Sequence, residues 1–71
     1  MKLSAVEQVE QARDLVLAEL TAHQTPMSLQ ELSSILGKQT KLSHRTFKEA
    51  AWRLVEEGKA KFNSTWNLEI L

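Results

Sequence analysis

A chain of 71 residues without cysteine allows one domain with a small core, held by neither disulfides nor thiolate-bound metal. Its net charge is zero, which argues against a strong general affinity for polyanions. No apolar run approaches the roughly 20 residues of a membrane span, and the N-terminus breaks into charge too soon for a secretory signal. A cytoplasmic protein is expected, and its compact ends suit a whole small protein. The charge is nevertheless uneven. Residues 1–36 set Lys2 and Arg13 against Glu7, Glu10, Asp14, Glu19 and Glu31. Residues 37–61 set Lys38, Lys41, Arg45, Lys48, Arg53, Lys59 and Lys61 against only Glu49, Glu56 and Glu57. An acidic first half and a basic second half give the molecule one face suited to a polyanion.

Ser4 with Glu7 forms a capping box, so a first helix is expected over about 5–22. Its apolar face is Ala5, Val9, Ala12, Val16 and Leu20, widened by Val6 and Leu17. Leu15 falls off the stripe, either as an ordinary exposed leucine or as a self-association contact. Thr25-Pro26 stops the helix. Met27 is expected in a short extended piece that adds a strand to a later hairpin. Ser28 and Glu31 form a second capping box, with Met27 and Leu32 at the spacing of a hydrophobic staple. The second helix, about 29–36, buries Leu29, Leu32, Ile35 and Leu36 and is expected to end at Gly37. A polar turn from Gly37 to Leu42 then leads to the cap at Ser43.

The third helix, about 44–57, carries Phe47, Ala50, Ala51, Leu54 and Val55 as one apolar stripe, and Gly58 stops it. The period then changes. Ala60, Phe62, Trp66, Leu68 and Ile70 alternate with polar residues, as in a hairpin over about 59–70 turned by Asn63, Ser64 and Thr65. Phe62 and Trp66 are expected in the core. The class is α+β, a three-helix cluster closed by a short hairpin.

The segments Met27-Ser28-Leu29-Gln30-Glu31-Leu32, Ile35-Leu36-Gly37, Phe47 through Leu54-Val55-Glu56-Glu57-Gly58-Lys59-Ala60 and Trp66-Asn67-Leu68 together resemble the winged helix-turn-helix superfamily. The resemblance covers nearly the whole chain. It implies a single winged helix domain with a C-terminal β-hairpin wing, and a DNA-binding role in transcription regulation with the third helix in the major groove. Two features depart from the pattern. The turn from Gly37 to Ser43 is long, and the wing tip Asn63-Ser64-Thr65 has no Arg or Lys to enter a minor groove.

With its apolar stripe inward, the third helix presents Arg45, Lys48, Glu49, Trp52 and Glu56, flanked by His44 and Arg53. Arg45 and Lys48 suit guanine O6 and N7, His44 a base acceptor or a phosphate, and Glu49 cytosine N4. Lys38, Lys41, Lys59 and Lys61 suit phosphates. The plain alternative is a solvated face of mixed charge. Trp52 lies towards the exposed arc. It either packs its body on the first helix or the hairpin, or, with Leu15, anchors a protein partner. Double-stranded DNA is therefore the expected partner, bound weakly by one copy and better by a homodimer. A protein-interaction module without DNA contact is the alternative. RNA binding would need a platform of exposed aromatics, for which the sequence offers Trp52 alone. No enzyme, metal or cofactor is expected: His23 and His44 lie far apart, and no cysteine or ligand-spaced acid accompanies them.

Overall fold

The computed structural model describes residues 4–71, so Lys2, one of the charges of the acidic half, lies outside the described residues. Three serines start three helices. Ser4 caps α1, Ala5–His23, by accepting from the Glu7 N–H at 3.2 Å. Ser28 caps α2, Leu29–Gln39, by accepting from the Glu31 N–H at 3.0 Å, and its hydroxyl meets the Glu31 carboxylate at 3.3 Å. Ser43 caps α3, His44–Glu56, by accepting from the Thr46 N–H at 3.2 Å. Each hydroxyl satisfies a first-turn donor that has no partner within the helix.

The helix ends are less uniform. α1 closes with Gln24 at φ 56°, its N–H donating to Leu20 C=O. α3 ends in a Schellman motif: Gly58, at φ 74°, donates to Val55 C=O and Lys59 donates to Leu54 C=O. Glu57 is thus the cap residue rather than the last helical one. Gly37 does not end α2. The helix runs through it to Gln39 and closes where the Thr40 N–H and hydroxyl both donate to Leu36 C=O at 3.0 Å. A glycine in a helix costs about 1 kcal/mol relative to alanine, too little to break a helix whose Leu32 and Leu36 are already buried. The link to α3 is consequently only Thr40, Lys41, Leu42 and Ser43, a tight corner rather than the long turn expected from Gly37.

Strands β1, Ala60–Phe62, and β2, Leu68–Ile70, pair antiparallel with Ala60 opposite Ile70, Lys61 opposite Glu69 and Phe62 opposite Leu68. Met27 joins the free edge of β2 through two bonds with Leu68, of 3.0 and 2.7 Å, at the expected place but as a single bridge and not a third strand. The described residues therefore form an α+β domain of three helices and a two-stranded antiparallel sheet.

The core gathers Val9, Ala12, Val16 and Leu20 of α1, Met27, Leu32 and Leu36 of α2 and its lead-in, Phe47, Ala50, Ala51 and Leu54 of α3, and Ala60 and Leu68 of the hairpin. Leu29, Ile35, Leu42, Val55 and Phe62 pack on it half-buried. Three expectations fail. Ala5 and Val6 are exposed, because α1 projects its first turn beyond the elements it packs against. Leu15 is half-buried against the core rather than an ordinary exposed leucine. Trp66 is not a core residue: it is 70% exposed, because the chain turns at Trp66 instead of running straight as a strand.

Candidate nucleic-acid interface

The geometry of α3 follows from its sequence. Phe47, Ala50, Ala51 and Leu54 are all fully buried on one side. The opposite side must therefore face solvent, and it forms a shallow groove lined by Arg45, Lys48, Glu49, Trp52, Arg53 and Glu56. The cations are placed against the helix dipole. α1 and α2 each carry a glutamate in the first turn, Glu7 and Glu31, whereas α3 has no acid there and opens with His44 and Arg45. Cations at the positive end of a helix cost it about 0.3–1 kcal/mol, and the same end attracts anions.

The expected site residues fall into three groups. Arg45, Lys48 and Arg53 share the groove. Arg45 meets Glu49 one turn on at 3.6 Å, through side chains 88% and 55% exposed, so the pair is loosely held. Among the described residues Lys48 and Arg53 make no ion pair, nor do Lys38 at the end of α2 or Lys41 in the corner. Lys59 and Lys61 do: Lys59 meets Glu57 at 3.7 Å and Lys61 meets its cross-strand neighbour Glu69 at 3.5 Å. His44 turns back towards α2, its Nδ1 2.7 Å from the Ser33 hydroxyl. The same hydroxyl also reaches Leu29 C=O at 2.8 Å, so the direction of the His44 bond follows the imidazole tautomer.

Glu57 has a role that spacing alone does not reveal. It accepts from Arg13 of α1 at 2.9 Å while facing Lys59, which ties the end of α3 to α1. This hydrogen bond, with the attraction between the charges, raises the Arg13 pKa above its ordinary value. Trp52 packs its body on the hairpin, one of the placements expected, and the feature missed is that Trp66 extends this contact from the loop. Trp52 packs on Phe62 with ring centroids 4.7 Å apart, and Phe62 on Trp66 at 6.0 Å, the planes tilted by 52° and 54°. Trp52 remains 42% exposed. The available signal was Asn63, whose side-chain oxygen can gather a turn around itself and displace the next aromatic from the strand.

Among the described residues, no three His, Cys, Asp or Glu side chains converge on a possible metal position, and no helix is long and apolar enough to cross a membrane. No protein-family model, curated protein sequence or solved structure matches this chain. Any functional reading of the groove therefore stands on its own geometry.

Proposed function

We propose that this chain is a small winged helix DNA-binding protein, a transcriptional regulator or accessory factor, with α3 in the major groove and the hairpin as its wing. The observation that carries the reading is the solvent face of α3, where Arg45 and Lys48 crowd the helix's positive end and Arg53 extends the same groove. The tight corner from Thr40 to Ser43 suits a helix-turn-helix and removes one of the two departures noted in the sequence. Arg45 and Lys48 would address bases, Arg53 and His44 Nε2 would flank them, and the unpaired Lys38 and Lys41 would hold phosphates. Lys59 and Lys61 would have to exchange Glu57 and Glu69 for phosphate, so their contribution is smaller. A single module of this kind buries only about 600–1,000 Å² on DNA, and a homodimer would bind more tightly.

The test is a salt titration of binding to random-sequence duplex DNA, followed by fluorescence anisotropy. Affinity should fall as salt rises, by about 0.9 log unit per log unit of salt for each phosphate neutralised. Lys41→Ala should weaken all sequences alike and lower that slope by about 1, whereas Arg45→Ala should weaken a selected site more than random DNA. Unchanged binding in both variants removes α3 from the interface.

A second reading is a protein-interaction module of the same fold with no DNA role. It is favoured by the exposed Trp52, which lies in the groove with Glu49 and Glu56. Absence of binding to both duplex and single-stranded DNA even at low salt would select it.

A further inference from the structure

Trp66 is the residue that the fold accommodates least well. It is 70% exposed and sits at φ 62°, a region that L side chains adopt at a cost and glycine adopts freely. The hairpin geometry explains why it is there. Trp66 N–H donates to Asn63 C=O, and Asn63 N–H donates to Asn67 C=O, the pattern of a three-residue loop whose last position is left-handed and ordinarily glycine. Asn63 Oδ1 pins the loop by accepting from Thr65 N–H, the Thr65 hydroxyl and Asn67 N–H at 3.0, 2.8 and 3.0 Å. The backbone is therefore held so that an indole projects from the loop, next to Phe62 and, through it, Trp52.

We propose that Trp52, Phe62 and Trp66 form a stacking platform for unpaired bases, so that the ligand of this face is single-stranded nucleic acid. The inference keeps from the proposed function only the reading of the α3 cations as phosphate-binding, and it replaces the duplex by a single strand on this face. Three observations converge on it. The rings follow one another from α3 onto the hairpin, with the two outer indoles open to solvent. Base stacking on such rings is tolerant of sequence because every base has a π-face. Lys48 lies one helical turn before Trp52 and Arg53 directly after it, and neither makes an ion pair among the described residues, so phosphates meet uncommitted cations beside the rings. A duplex hides its base faces, and a loop of Ser64, Thr65 and Trp66 has no cation for a minor groove. Glu56, at the end of the groove, is the one acid there without an ion pair among the described residues, and it limits affinity.

The chain has two tryptophans, both in the platform, so intrinsic fluorescence reports on it directly. Oligo(dT) and a duplex of random sequence are titrated separately at low salt into the wild-type chain and into Trp66→Gly. Glycine relaxes at a positive φ, so this variant should fold at least as well as the parent, which a thermal melt verifies. The expected result is that oligo(dT) quenches wild-type fluorescence and that Trp66→Gly binds it about tenfold more weakly. Binding of oligo(dT) without quenching, or with equal affinity in Trp66→Gly, overturns the platform. Binding of duplex but not oligo(dT) overturns the platform and leaves the DNA reading of α3 intact. Binding of neither overturns both and turns the exposed rings over to a protein partner.

Discussion

The corner between α2 and α3 and the tip of the hairpin follow opposite rules. At the corner most local preferences agree with the fold: Ser43 caps α3, the Thr40 N–H and hydroxyl close α2 on Leu36 C=O, and Leu32, Leu36 and Phe47 are all buried, so that Gly37 within α2 and Arg45 at the positive end of α3 are carried at small cost. At the tip the preferences conflict. A bulky aromatic takes a glycine conformation and leaves its ring in water. Where local and global signals agree, a region is built for stability; where they conflict and the structure still holds, the conflict points to function. The corner sets α3 in place, and the tip sets a ring beside it.

The sharpest way to break the corner is to empty it. Leu54→Ala removes a fully buried side chain from the inner face of α3 and should cost about 3 kcal/mol. Domains hold about 0.05–0.15 kcal/mol per residue, so a chain this short should lose much of its cooperative melt, followed by circular dichroism. A variant melting within a few degrees of the parent would mean that the α3 core does not position the groove.

The tip should break more gently. Asn63→Ala deletes the acceptor of three hydrogen bonds while touching no core residue. The expected cost is about 1–2 kcal/mol, or a melting point lower by roughly 5–10 °C. Because the loop would no longer hold Trp66 in place, tryptophan fluorescence should shift at temperatures where the helices remain intact. If circular dichroism and fluorescence move together, the tip belongs to the core's cooperative unit and the two regions do not differ in kind.

The elements most legible in the sequence were those with redundant signals. All three serine caps, the helical stripes, the Gly58 stop and the pairing of Met27 with the hairpin edge follow from patterns that several residues share. Gly37 misled because a glycine stop was inferred from residue type alone, whereas the bonds from Thr40 to Leu36 C=O decide where α2 ends. Trp66 misled for a related reason. A period-2 pattern cannot reveal that one of its members lies in a loop, and the conformation there depends on hydrogen bonds made by Asn63. Of the candidate site, the exposed face of α3 was legible from its helical period. The packing of Trp52 on the hairpin was one of two placements the sequence offered, but the series of three rings was not legible, since it joins elements whose relative placement no local pattern encodes.

The two glycines give the smallest effect and serve as controls for each other, because the same substitution should act in opposite directions. Gly58 is at φ 74° in the Schellman motif that ends α3, and a Cβ there meets open space, so only backbone conformation opposes it. Gly58→Ala should destabilise by about 1 kcal/mol. Gly37 lies within α2, has no positive φ, and a Cβ there also meets nothing within 4 Å. Gly37→Ala should therefore stabilise by about 0.5–1 kcal/mol, raising the melting point by roughly 2–6 °C. Stabilisation at Gly37 would confirm that α2 passes through it and that the corner begins at Thr40. Destabilisation would return the corner to its longer form, in which Gly37 stops the helix and α3 is set less firmly against α2.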